Sequence, residues 1–173
     1  FIFYLKIKNM TNVNKVKSKI FNLKTLQDVV EKWRKNGEKV VFSNGCFDIV
    51  HRGHIEVLAQ SADLGSKLIV GINSDESVKN LKGASRPIIN EDSRAILLAS
   101  LSFIDAVILF NEATPFNLIK ILKPDVLAKG GDYSLKSIVG RDIVEAYGGE
   151  VKLIPFITGF SSTGVIDKIK KLK

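Results

Sequence analysis

The feature that most constrains the fold is an alternation of short, unbroken apolar runs with stretches of helical periodicity. The runs are Val40–Phe42, Lys67–Ile72, Ala106–Phe110, Asp125–Ala128 and Val151–Ile154. None alternates polar with apolar residues, so each reads as a strand buried on both faces. Leu26, Val29, Val30 and Trp33 share a helical face between a Thr25 cap and Gly37, and Ile55, Leu58, Ala59 and Ala62 do so before Gly65. Further helices are expected near 75–81, from an Asn90 cap to Leu101, after Thr114-Pro115 as N-cap and N1, and near 141–147. A last helix follows Ser161, with Val165, Ile166, Ile169 and Leu172 expected to pack inward. Right-handed crossovers then predict an α/β fold: a doubly wound, Rossmann-like, five-stranded parallel sheet over residues 25–173. Ligands of such sheets bind at the carboxyl ends of the strands, where strand order reverses. Residues 1–24 are expected as a basic, loosely held extension, with Met10, the only methionine, as the natural start.

Charge raises a competing function. The 173 residues carry a formal +8, which invites a nucleic-acid partner. The excess is +7 over residues 1–39 and +3 over 167–173, while 40–166 sum to −2. Basic residues gathered at chain ends read as solvated segments, so no nucleic-acid partner is expected. No apolar stretch approaches the roughly 18 residues that span a bilayer, so no membrane span is expected. The single cysteine, Cys46, excludes an internal disulfide and fits a reducing, cytoplasmic setting.

The chemistry concentrates at the carboxyl end of the first run, Ser43-Asn44-Gly45-Cys46-Phe47-Asp48-Ile49-Val50-His51-Arg52-Gly53-His54. Both histidines of the chain lie here, on one face at the start of a helix. Free backbone N–H groups and the positive dipole end favour a phosphate there, and Gly53 removes a side chain that would hold it away. The pair also reads as ordinary cap or surface residues, and a zinc site lacks the usual ligand spacing. Cys46 reads as a small packed residue.

This turn resembles the GxFDxxHxGH motif of the cytidylyltransferase-like nucleotidyltransferases. Asn73-Ser74-Asp75, Leu81-Lys82-Gly83 with Arg86-Pro87, Lys129-Gly130-Gly131-Asp132-Tyr133 and Phe160-Ser161-Ser162-Thr163 follow in the family's order. Together they are similar to the adenylyltransferase domain of the bifunctional heptose-phosphate enzymes. No sugar kinase precedes the domain here, so the expectation is a stand-alone adenylyltransferase fed by a separate heptose kinase.

The resemblance implies attack of D-glycero-D-manno-heptose 1-phosphate on the α-phosphorus of ATP, releasing pyrophosphate. It implies catalytic roles for His51, His54 and Lys82. Nucleotide contacts would come from Asn44, Gly45, Cys46, Phe47, Gly53, Lys129, Gly130, Gly131, Asp132, Ser161, Ser162 and Thr163. Substrate contacts would come from Asp48, Asn73, Asp75, Lys82, Arg86 and Arg94. Mg²⁺ is expected through the ATP phosphates, with no protein metal site, and a homo-oligomer is expected. Each residue has a plainer reading: Lys82 as a solvated loop lysine, Arg94 as an ion-pair partner, Asp132 as a turn cap, Ser161–Thr163 as helix caps. Pro155 is followed by Phe156 where related cytidylyltransferases carry arginine, so no triphosphate-binding arginine carries over. Arg52 has no role legible in the sequence. Glycerol-3-phosphate cytidylyltransferase, a flavin-nucleotide (FAD synthetase-type) adenylyltransferase, and a non-catalytic nucleotide-binding module remain alternatives.

Overall fold

The computed structural model describes residues 10–131, 137–155 and 159–172. Six parallel strands form one sheet: β1 (Ile20–Phe21), β2 (Val40–Gly45), β3 (Lys67–Asn73), β4 (Ala106–Phe110), β5 (Val126–Gly130) and β6 (Glu150–Ile154), in the order β1-β4-β3-β2-β5-β6. The helices are α1 (Asn12–Lys17), α2 (Leu23–Lys35), α3 (Arg52–Ala62), α4 (Asp75–Lys82), α5 (Glu91–Ala99), α6 (Phe116–Leu122), α7 (Arg141–Ala146) and α8 (Ser162–Lys170). The doubly wound parallel architecture is as expected, with one strand more than the five predicted. The added strand, β1, is two residues long and pairs Ile20 with Val107 and Phe21 with Ile108. Two residues are too few to carry a period, which is why the sequence hides it.

That strand also revises the amino-terminal boundary. Residues 10–24, expected to be loosely held, include α1 and β1, pack Val16 and Ile20 against the core, and donate Lys19 Nζ to Leu101 O at 3.0 Å. The first long helix is capped by Asn22, whose Oδ1 accepts from Thr25 N at 3.0 Å, so Thr25 lies inside it.

Each face of the sheet has its own core. On one, Val57 and Leu58 of α3 and Ala95, Leu98 and Ala99 of α5 cover Val41, Leu68, Val70 and Val126. On the other, α2, α6 and α7 bring Leu26, Val30, Leu118, Ile119 and Val144 onto Val40, Phe42, Ile69 and Leu127. Both faces of every central strand are therefore dry, which accounts for the unbroken apolar runs. α8 differs from its predicted packing: Val165, Ile169 and Leu172 are 37%, 57% and 80% exposed, and none of its residues is buried. It follows β6, an edge strand whose own Val151 and Leu153 are only half-buried, so its apolar side meets no deep core within the described residues.

The chain visits β2, β3 and β4 outward in one direction, then crosses back to β5 and β6. Strand order thus reverses at β2 and β5. Their pairing covers Val41–Val126 and Phe42–Leu127, while Ser43, Asn44 and Gly45 stay in register with Val70, Gly71 and Ile72 of β3. The last three residues of β2 leave β5, and a crevice opens between the strand ends.

Candidate active site

The crevice has a volume of about 430 Å³ and is lined by residues from β2, β3, β5, α3, α4 and α8. Lys129, on β5, bridges the split: its Nζ donates to Asn44 O at 3.3 Å and to Asn44 Oδ1 at 3.2 Å. Burial holds this ammonium below the ordinary lysine range, with Cys46 opposing that shift. Among the expected contact residues, Asn44, Gly45, Cys46, Phe47, Asp48, His54, Asn73, Lys82, Lys129, Gly130 and Ser162 all line the crevice.

The turn after β2 is forced into an unusual shape. Phe47 is a non-glycine residue at φ 48°, a left-handed conformation that costs energy and persists only where the surroundings over-determine it. Its ring is buried and meets the His54 ring edge-on at 5.3 Å. The ring also folds back so closely that a Cβ on Gly45 would lie 3.1 Å from it.

His51 caps α3, and His54 sits one turn in. Their rings stack at 3.8 Å between centroids. The His51 backbone N–H donates to His54 Nδ1 at 3.4 Å. A neutral ring accepting at Nδ1 carries its proton on Nε2, so that N–H is the donor left for a ligand. Burial first, then the nearby His51 and Lys82, pushes His54 down to about 4. Burial lowers His51 as well. Both rings are neutral donors near pH 7. His54 lines the crevice, whereas His51 is not among its lining residues and packs against Phe160, with ring centroids 6.3 Å apart and no hydrogen-bond partner for its buried Nδ1 among the described residues. Gly53 serves that packing: a Cβ there would lie 3.2 Å from both the His51 ring and Phe160 Cβ.

Asp48 and Arg94 form the frame. The Asp48 side chain is 0% exposed and accepts from Arg86 Nε, from Ile88 N at 2.6 Å and from Ile89 N at 3.0 Å. Burial alone would raise this carboxyl, but the hydrogen bonds from Ile89, Arg86 and Ile88 outweigh it and hold Asp48 below the usual range. Arg94 is 0% exposed, donating to Ile89 O at 3.0 Å, Cys46 O at 2.6 Å, Asn73 O at 2.7 Å and Asp75 Oδ1 at 2.7 Å. Asp48, Arg86, Arg94 and Asp75, expected as substrate contacts, are thus mutually engaged in tying the β2 turn to the ends of β3 and α5. Their contacts join residues far apart in the chain, which spacing cannot reveal. Arg86 keeps one buried nitrogen, Nη2, that has no hydrogen-bond partner among the described residues.

Lys82 closes α4 as its last residue, not a loop lysine, and is exposed at the rim. Gly130 serves helix packing, since a Cβ there would come within 2.6 Å of Val57. Gly131 is buried behind the crevice and donates its N–H to Ile154 O at 3.0 Å. Asp132, like Phe156, lies outside the described residues. Ser161 caps α8 through Gly164 N at 2.9 Å, Thr163 is exposed, and Ser162 Oγ donates to Ile49 O at 3.0 Å, fastening α8 beside the histidines. Arg52 pairs with Glu56 at 2.7 Å and lies 5.8 Å over the Phe160 ring. Sequence reasoning missed Leu81, Ala113, Pro115, Ser137, Ile138 and Val139, which also line the crevice. Only their position after strand ends could have pointed to them.

A family model described as Cytidylyltransferase-like matches residues 42–166. The chain belongs to the cytidylyltransferase-like family. It is 51% identical over 152 residues to Bifunctional protein HldE of Trichlorobacter lovleyi and 48% identical over 151 residues to that of Koribacter versatilis. These matches cover 88% and 87% of this chain but 31% of each relative, so the chain spans about a third of their length. Among solved structures, the lipopolysaccharide core biosynthesis protein of Thermoplasma volcanium is 30% identical with a TM-score of 0.56, covering 70% of this chain and 98% of that one. Pantoate-beta-alanine ligase of Francisella tularensis, 15% identical, shares the fold at a TM-score of 0.60, over 87% of this chain and 76% of that one. Among the described residues, no helix of this cytidylyltransferase-like chain is long and apolar enough to cross a membrane.

Proposed function

We propose that the chain is an adenylyltransferase that joins AMP from ATP to D-glycero-D-manno-heptose 1-phosphate. The observation that carries this reading is identity near 50% to HldE proteins across the crevice-forming region. The family's lipopolysaccharide core biosynthesis protein supports a surface-polysaccharide sugar as acceptor. In the reaction an acceptor phosphate oxygen forms a bond to the α-phosphorus, and the bond from that phosphorus to the bridging oxygen breaks, releasing pyrophosphate. The nucleophile is already an anion, so positioning and charge stabilisation carry the catalysis.

In this reading the His54 Nε2–H donates to an α-phosphate oxygen as charge gathers there, and Lys82 holds the acceptor phosphate. His51 caps α3, and its backbone N–H sets the His54 tautomer. The backbone N–H groups at the start of α8 receive the departing phosphates. Mg²⁺ would supply counter-charge to the triphosphate. Among the described residues that line the crevice, Asp48 is the one acidic side chain, and its oxygens already accept from Arg86, Ile88 and Ile89, which supports a reading in which the ion is held by the ATP phosphates. A reaction consuming ATP fits a cytoplasmic enzyme, its acceptor supplied by a heptose kinase activity and its working form a homo-oligomer.

Pyrophosphate release, measured with ATP and CTP against a panel of phosphorylated acceptors, tests the reading. Turnover with ATP and heptose 1-phosphate is expected. Turnover confined to CTP and glycerol 3-phosphate would overturn it.

A further inference from the structure

One wall of the crevice has no part in the chemistry above: Ala113, Thr114 and Pro115, which follow β4. The sequence pattern assigns the Thr114 hydroxyl to capping the next helix. In the structure, however, α6 begins at Phe116, its N-cap is Pro115, and no side chain among the described residues caps it. Thr114 is exposed, and its hydroxyl has no hydrogen-bond partner among the described residues.

The loop that carries it is nonetheless held in place. Asn73 Nδ2 donates to Ser77 Oγ at 3.0 Å, and Ser77 Oγ donates to Glu112 O at 3.0 Å. Asn117 Nδ2 adds a bond to Glu112 Oε1 at 3.3 Å. Thr114 is thereby fixed two residues beyond an anchored carbonyl. Asn73, expected to touch substrate, begins this relay and also lies 3.8 Å from Cys46 Sγ.

In-line displacement decides what faces this wall. Attacking and leaving oxygens lie on opposite sides of the reacting phosphorus. With pyrophosphate departing toward α8 on the β5 side, the acceptor enters from the β3–β4 side, past Lys82. Its sugar then reaches the wall of Leu81, Ala113, Thr114 and Pro115, where the uncommitted polar side-chain group is the Thr114 hydroxyl.

We propose that Thr114 Oγ1 is a specificity-determining contact to one hydroxyl of the acceptor sugar; this rests on the adenylyltransferase reading. The test compares wild type, Thr114→Val and Thr114→Ser by steady-state kinetics, with heptose 1-phosphate and analogues lacking single hydroxyls. Thr114→Val should raise the acceptor KM about 5–10-fold and leave the ATP KM within about twofold. Thr114→Ser should restore the acceptor KM. The analogue lacking the contacted hydroxyl should bind wild type and Thr114→Val alike. An acceptor KM unchanged in Thr114→Val, or an ATP KM raised as much, overturns the proposal. Should wild type use a different phosphorylated acceptor, the heptose reading fails by itself. The same comparison, run with that acceptor, then decides the role of Thr114.

Discussion

The two sides of the crevice are held by different forces. On the β2 side, the turn carrying Phe47 and leading to His54 is fixed by buried charge: Asp48 and Arg94, both sealed from solvent and both fully engaged. On the α8 side, the attachments seen among the described residues are one hydroxyl bond from Ser162, the Phe160 ring against His51, and an exposed arginine over that ring. Charge-assisted bonds in a dry environment are strong and geometrically strict, whereas half-exposed ring and hydroxyl contacts give way at little cost. Under the proposed reaction, the contrast puts rigidity where a proton donor would be aimed and tolerance where pyrophosphate would leave.

The largest test of that contrast is Arg94→Met. It strands the carbonyls of Cys46, Asn73 and Ile89, and should cost about 3–5 kcal/mol in chemical denaturation. A loss below about 1 kcal/mol would show that the turn does not depend on this guanidinium. Next comes His54→Ala, which should lower kcat about 10²–10³-fold, with the ATP KM little changed. Unaltered turnover would remove His54 from the chemistry.

A third test uses pH. Above the ordinary histidine value of 6.5, His54 is neutral both folded and unfolded and contributes nothing. Between 6.5 and about 4, the unfolded chain takes up a proton that the folded chain refuses. Stability should therefore fall with pH through that window, by up to about 3 kcal/mol, with His51 adding in the same direction. Denaturant titrations across the window should show the decline in wild type and a flatter one in His54→Asn. The smallest effect belongs to the other side: Ser162→Ala should cost about 1 kcal/mol or less and raise the ATP KM a few-fold. A loss as large as that of Arg94→Met would erase the difference between the two sides.

Much of this was legible in the sequence, for identifiable reasons. The strand–helix order follows from unbroken apolar runs, and the location of the site follows from the turn at the end of β2. Phe47-Asp48 and the histidine pair are local in sequence, so their proximity needs no tertiary information. What escaped is what depends on distant partners. Asp48 and Arg94 resemble ligand contacts in their motifs, but Arg86, Ile88, Ile89 and the strand-end carbonyls consume them. Thr114 fits the capping rule, yet the helix starts two residues later, at Phe116. The exposed face of α8 reads as amphipathic, because a periodic pattern reports an apolar side without saying whether anything meets it.

The two-residue β1 also has a bearing on solubility. It covers the outer edge of β4, whose sequence Ala106-Val-Ile-Leu-Phe110 contains no charge, proline or glycine. Bare, such an edge is a template for pairing with another chain. A truncation at residue 25, chosen to discard a basic tail, would therefore remove a shield, and the shortened protein should be prone to aggregation through β4.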